Sequence, residues 1–433
     1  MYYLKPKGCF TNISIIMIEF KRREECCGCG ACEQVCPKHC ISLIPDREGY
    51  WYPHVDTNAC IDCHLCEIAC PVINQEQERT PIKVYAAINK NERIRAKSAS
   101  GGIFTIVAEK VIGQGGVVFG VKFDDGWNVV FDYTESIEGL DAFRRSKYVQ
   151  AWLGDTYSNV RDFLKKGRLV LFVGTPCQVA GLRRFLKRNY TNLLLMDLLC
   201  EGVPSPKVWK MYLEEEIVRL GEKNTVSSNP ISKKNVLIKD ISFRNKSLGW
   251  KKFSFALTFA KATADGESNS VLSSYINRDS AYMQAMFQYL DLRPICYECP
   301  FKSCKSHSDI TIADYWGINS LHPEMDDDKG VSMVYINTEK GAAYYDADQT
   351  NYIETPYDEA FRFNNVITSS RRHPYRDKFF SKIDECDSVI QLLQQYTFTR
   401  SFIIKKEFKN VIRTALPEVS HKYVKWLWKK VKR

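Results

Sequence analysis

Residues 26–37 read CCGCGACEQVCP and residues 60–71 read CIDCHLCEIACP. In the first stretch Cys26, Cys29, Cys32 and Cys36 stand at C-x2-C-x2-C-x3-C spacing ahead of Pro37, and in the second Cys60, Cys63, Cys66 and Cys70 repeat that spacing ahead of Pro71. Thiolates two residues apart on a looping backbone converge on three corners of one iron–sulfur cube, while the fourth cysteine of each run reaches the other cube. The spacing therefore predicts one [4Fe–4S] cluster on Cys26, Cys29, Cys32 and Cys70, and a second on Cys60, Cys63, Cys66 and Cys36. Zinc ribbons use two separated C-x2-C pairs instead of two runs of four with trailing prolines. Cys9, Cys27 and Cys40 fall outside the spacing and read as spare thiols. Between the runs, Ile41–Leu43 and Trp51–Val55 flank a turn at Asp46–Gly49 and predict a hairpin.

Outward from these runs, the chain has 433 residues, 45% hydrophobic and 26% charged, which excludes disordered and collagen-like classes. At roughly 100–200 residues per domain there is room for two or three. Eleven of the 17 cysteines lie in the first 70 residues. No apolar run approaches the roughly 18 residues of a membrane helix, and Ile15–Ile18 is too short for a signal peptide. A cytoplasmic location is expected, where close cysteines are metal ligands more often than disulfides. Met17 opens MIEFKRREECCGCGAC nine residues before Cys26 and is an expected alternative translation start. Residues 400–433 hold eleven Lys/Arg against Glu407 and Glu418, nine of the formal net charge of +10. The body is thus nearly neutral, which argues against a nucleic-acid groove.

From Ile82 onward the pattern alternates between strands and helices. Strands are expected at Lys83–Ile88, Gly116–Phe123, Trp127–Tyr133, Leu169–Val173 and Leu193–Leu199, and helices near 101–113, 155–166, 177–188 and 206–220. Residues 222–235 read as a polar loop, and Val236–Phe243 and Phe253–Thr258 as further strands. Lys97-Ser-Ala-Ser-Gly-Gly102 places Ser98 or Ser100 to cap a helix, with Gly101 and Gly102 letting a ligand approach backbone N–H groups. Arg144-Arg-Ser-Lys-Tyr148 adds cations nearby. Gly174-Thr-Pro-Cys177 turns a strand into a helix with Cys177 at its start, where partial positive charge favours a thiolate. Cys200 follows another strand end, and Cys296 and Cys299 form a C-x2-C pair with Cys304 beyond it.

At these residues the chain resembles the coenzyme F-420 hydrogenase/dehydrogenase beta-subunit family, in the form that carries an N-terminal two-cluster ferredoxin. The matching stretches are Ser98–Gly102, Ser146–Val149, GTPCQVAGL at 174–182, CEGVPSP at 200–206, Cys296–Cys299 and SDITIADYWG at 308–317. The resemblance implies FAD and a third [4Fe–4S] cluster on Cys177, Cys200, Cys296 and Cys299, with Cys304 the competitor. It also implies a flavin pyrophosphate beside Ser98, Ser100, Gly101 and Gly102, with Lys147 as a cationic contact. Asp309 and Asp314, bracketing an expected strand, read as cofactor or structural hydrogen-bonding groups.

The expected fold class is α+β, or mixed α/β. The expected domains are a dicluster ferredoxin at 22–78, the N-terminal region of the beta-subunit family at 82–165, its C-terminal region with FAD and the third cluster at 168–345, and a basic helical tail at 380–433. In the tail Val424, Leu427, Trp428 and Val431 share one helical face among lysines, a pattern suited either to packing or to peripheral contact with an inner-membrane surface. The expected function is an iron–sulfur flavoprotein oxidoreductase, with a ferredoxin-like donor and an organic acceptor such as coenzyme F-420 as partners. The alternative is a non-catalytic electron-transfer protein feeding a partner enzyme.

Overall fold

The computed structural model describes Ile18 and residues 20–224, 237–262, 268–362 and 370–398. Met17 and most of the basic tail, including Val424 to Val431, lie outside these residues. The fold is mixed α/β, in two compact units: one takes residues up to Pro206 together with Arg293–Ser370, and the other Lys207–Leu292 with residues from Arg371. No helix among the described residues is long and apolar enough to cross a membrane.

The first unit begins with the two cysteine runs. Strands β1 (Ile41–Pro45) and β2 (Trp51–Val55) pair antiparallel between them, with Ile41 opposite Val55. Asp46 closes the turn, its Oδ1 accepting the Glu48 and Tyr50 N–H groups at 2.9 and 3.0 Å. Such Asx geometry explains why Asp and Gly stand there.

The remainder of this unit is an eight-stranded sheet of β3 (Lys83–Asn89), β4 (Val117–Phe123), β5 (Val129–Thr134), β6 (Val170–Gly174), β7 (Leu193–Leu198), β11 (Ile310–Asp314), β12 (Ser332–Ile336) and β13 (Thr350–Glu354). Its order is β13-β3-β12-β11-β7-β6-β4-β5. The central strands β11, β7, β6 and β4 run parallel, and the flanking strands run antiparallel to their neighbours. The parallel core explains the continuous apolar runs of β6 and β7, which are covered on both faces. Ile103, Ile106, Val107 and Val111, one face of the helix Ile103–Gly113, pack with Val118, Leu171, Leu194, Met196 and Val334 from the sheet. That helix starts two residues later than its periodicity suggests, because Gly101 is committed to the sheet: Asn89 N–H donates to its carbonyl at 2.8 Å, and its own N–H donates to Ser332 Oγ at 3.0 Å.

The second unit contains strands β8 (Leu237–Asn245), β9 (Ser254–Ala262) and β10 (Ser268–Ile276), joined in an antiparallel sheet, with the helices Pro206–Asn224, Ala281–Phe287, Arg376–Ser381 and Val389–Thr397. Trp209 anchors its core, 5.0 Å from the Phe243 ring and 5.2 Å from Tyr282. Strand β10 had no expectation in the sequence, since SNSVLSSYI is nearly half serine and breaks the usual strand signature.

The approach at Gly101 gives a direct test. A Cβ there would sit 2.4 Å from the Ala87 carbonyl oxygen and 2.7 Å from Ser332 N, both backbone atoms. Gly101→Ala is expected to destabilise the first unit by about 1–3 kcal/mol, read as a lowered thermal midpoint. An unchanged midpoint would refute the tight packing of this segment on the sheet.

Candidate iron–sulfur site

The two cysteine runs enclose two cavities. One is lined by Cys26, Cys27, Cys29, Cys32 and Cys70 with Ile18, Phe20, Leu43 and Val72. The other is lined by Cys36, Cys40, Cys60, Cys63 and Cys66 with Pro37, Val55 and Leu65. The fourth cysteine of each run thus stands with the first three of the other. Glycines at 28 and 30, both at φ 68°, curl the backbone of the first run around its cavity. Cys40 lies 3.3 Å from Cys36, sulfur to sulfur, and burial pushes its thiol up to about 12.

Strands β6 and β7 lie side by side with Gly174 opposite Asp197, so Cys177 and Cys200 emerge at the carboxyl ends of adjacent parallel strands. Ligand sites of open α/β sheets form there. Thr175 and Gln178 form a capping box, and Pro176 opens the helix Pro176–Leu186, which fixes Cys177 in its first turn. The 3₁₀ turn Pro294–Glu298 supplies Cys296 and ends at Cys299. Burial, followed by the Cys177 and Cys299 thiols and opposed by Lys302, pushes Cys200 up to about 12. Cys299 rises to about 11 through burial and Cys177, and Cys296 rises through burial, Cys299, Cys200 and Cys177. Cys177, Cys200, Cys296 and Cys299 are thus within electrostatic reach of one another, and all four are half-buried. Cys304 instead faces Asp197 and Arg79, and it is pushed up to about 12 by burial and by Asp197.

The dicluster segment packs against the body at this point. Cys27 reaches both Cys29 and Cys177 through its thiol, so it spans the first cavity and the fourfold cysteine group. Gly181, one turn beyond Cys177, makes room for Cys29: a Cβ there would stand 3.0 Å from Cys29 Sγ and 2.8 Å from the Tyr157 hydroxyl. Tyr157 is fully buried and donates to the Gln178 carbonyl at 2.7 Å. Gln34 Oε1 accepts Ser158 N–H at 3.1 Å, and Ser205 donates its hydroxyl to the Glu48 carbonyl. Among the described residues no three His, Cys, Asp or Glu side chains close around a single metal ion.

The residues expected at a flavin are placed differently. Ser98 Oγ donates to the Ile94 carbonyl at 2.8 Å, and Ser100 Oγ to that of Val331 at 2.8 Å. Gly102, at φ 86°, is the N-cap of the helix Ile103–Gly113. Lys147 Nζ donates to the Arg144 carbonyl at 3.0 Å. Asp309 is a structural pin: its carboxylate accepts Leu195 N–H at 2.9 Å and the Thr338 hydroxyl at 2.7 Å, and pairs with Lys340 at 3.1 Å.

Both halves of this arrangement have counterparts in known proteins. Residues 167–359 match the family described as the C terminus of the coenzyme F420 hydrogenase/dehydrogenase beta subunit, and residues 25–74 match the 4Fe-4S dicluster domain. The chain joins these two domains in one polypeptide. It is therefore an iron–sulfur protein related to the subunits of coenzyme F420 hydrogenases and dehydrogenases, and its dicluster domain carries two [4Fe–4S] clusters.

Among relatives, a subunit of the F(420)H(2) dehydrogenase of Methanosarcina mazei is 23% identical over 193 residues, 42% of this chain and 55% of that protein. A ferredoxin of Methanocaldococcus jannaschii is 41% identical over 49 residues, 11% of this chain and 62% of that protein. The chain thus spans about half to three-fifths of the length of the curated relatives it matches. A chain of the F420-reducing [NiFe] hydrogenase complex of Methanosarcina barkeri aligns with 77% of this chain and 94% of its own length, at 15% identity and a TM-score of 0.40.

Cys27 and Tyr157 carried no functional signal in the sequence, because Cys177 and Cys29, which they meet, lie more than a hundred residues away from them. The cysteine grouping predicts that Cys200→Ala loses about a third of the bound iron and that Cys304→Ala retains it, measured by iron quantification after anaerobic purification. Iron loss confined to Cys304→Ala would reverse the assignment.

Proposed function

We propose that this chain is the iron–sulfur electron-transfer component of an oxidoreductase, holding three [4Fe–4S] clusters and working with a redox partner protein toward a two-electron organic carrier of the F420 type. The observation that carries this reading is the gathering of Cys177, Cys200, Cys296 and Cys299 next to Cys27, at the edge of the first ferredoxin cavity. Four crowded thiols that raise one another's pKa are unfavourable as free thiolates, and an electropositive iron core is a donor-matched group that offsets their repulsion. Cys26, Cys29, Cys32 and Cys70 would hold one cube, Cys36, Cys60, Cys63 and Cys66 the second, and the fourfold group the third. When bound, the cubes supply one-electron transfer at potentials set by hydrogen bonds to sulfur and by nearby charge. Ile18, Leu43 and Val72 line the first cavity with apolar surface, Lys302 places positive charge beside Cys200 and Cys299, and Gly181 permits the close docking of Cys29.

FAD at Ser98, Ser100, Gly101, Gly102 and Lys147 does not fit in the same way. The two hydroxyls and the Gly101 N–H donate to partners within the chain, and the Lys147 ammonium donates to the Arg144 and Arg145 carbonyls. A FAD-dependent oxidoreductase is the second reading, favoured by the beta-subunit match over residues 167–359.

Anaerobic purification, EPR of the dithionite-reduced protein and extraction of its chromophores test both. Reduced-cluster signals without extractable flavin are expected, with acceptor turnover appearing only when a partner enzyme is added. Stoichiometric flavin together with turnover by the isolated chain would favour the second reading, and the absence of any reducible cluster would defeat both.

A further inference from the structure

Arg293 is completely buried, and its position is unusual for a guanidinium. Its Nε donates to the Cys26 carbonyl at 2.8 Å, Nη1 to Gln150 Oε1 at 3.1 Å, and Nη2 to the Trp51 carbonyl at 2.9 Å and to Cys26 Sγ at 3.5 Å. The cation lies over the Tyr52 ring at 4.3 Å and the Tyr50 ring at 5.5 Å. Three residues before Cys296, its backbone N–H donates to the Val203 carbonyl at 3.0 Å. No carboxylate is among its partners in the described residues. A buried charge without a counter-charge is strongly unfavourable. Burial opposes the Arg293 charge, and the sulfurs of Cys26 and Cys296, both proposed cluster ligands, are among the groups that favour it. The Arg293 carbonyl accepts the Cys296 N–H at 2.9 Å, which ties the residue to the second group of cysteines as well.

We propose that Arg293 is the shared counter-ion of two clusters, the ferredoxin-type cluster on Cys26, Cys29, Cys32 and Cys70 and the cluster on Cys177, Cys200, Cys296 and Cys299, and that it raises the reduction potential of both. The inference rests on the three-cluster reading above. Each one-electron reduction of a thiolate-ligated cube adds one negative charge to the site, and a fixed desolvated cation nearby stabilises the reduced form more than the oxidised one. Gln150 and the Trp51 and Cys26 carbonyls use the remaining donors and hold the plane of the guanidinium against the sulfur.

EPR-monitored potentiometric titration with dithionite as reductant tests the proposal on Arg293→Met, which keeps the bulk and removes the charge, and Arg293→Lys, which keeps the charge. With iron retained, Arg293→Met is expected to lower the reduced-to-oxidised ratio of both clusters at a fixed poise by tenfold or more, about 59 mV for a one-electron couple. Arg293→Lys is expected to stay within threefold of the parent. If Arg293→Met does not retain iron, Arg293→Lys decides alone: a ratio within threefold supports the proposal. Unchanged potentials in an iron-replete Arg293→Met, or a tenfold drop in Arg293→Lys, overturn it. The iron content of the parent protein reports on the three-cluster reading separately, since a two-cluster parent contradicts that reading whatever the variants do.

Discussion

Burying anionic sulfur is the constraint to which the first unit is built. In the three-cluster reading twelve cysteines serve three sites; Cys26, Cys29, Cys32, Cys36 and Cys70 are buried, where a thiolate without compensation is costly. The compensation visible in the chain itself comes from Arg293, buried without a carboxylate partner, from Lys302, and from the first turn of the helix that presents Cys177. In the three-cluster reading these features serve sulfurs that carry negative charge. The close packing of Cys29 on Gly181 and the reach of Cys27 to Cys177 then follow as ways of bringing two such sites near one another.

The sheet explains how distant segments are brought to one place. Cys177 and Cys200 follow neighbouring parallel strands, so a register between β6 and β7 is enough to bring together residues that are 23 positions apart in sequence. The Cys296–Cys299 pair arrives after the whole of residues 207–292 has been spent on the other compact unit. Gly101 illustrates the opposite use of a glycine: its missing side chain admits the backbone of β3 and β12, and its N–H serves Ser332 rather than a ligand.

How much of this could be read from the chain depended on whether the information was local. The cysteine runs, the Asp46–Gly49 turn and the start of the helix at Pro176 are set by neighbours in sequence, and all were legible. The strands of the parallel core were legible to within a residue or two, since burial on both faces leaves a continuous apolar run. Strand β10 was not, because its serines hide the alternation. The division into units was hidden as well, since a compact unit assembled from 207–292 and 371–398 leaves no mark in composition. Arg293 was illegible for a related reason: a lone arginine before a C-x2-C pair says nothing until Cys26, Trp51 and Gln150 are seen to converge on it. For Ser98 and Ser100 the local signal suggested a ligand, and other partners took the hydroxyls instead.

A third cube, in addition to the two of the dicluster domain, is what the proposed function depends on. Iron and acid-labile sulfide, measured on anaerobically purified and reconstituted protein, test it most directly. With a third cube, about twelve of each per chain are expected; saturation at about eight would rule the third cube out.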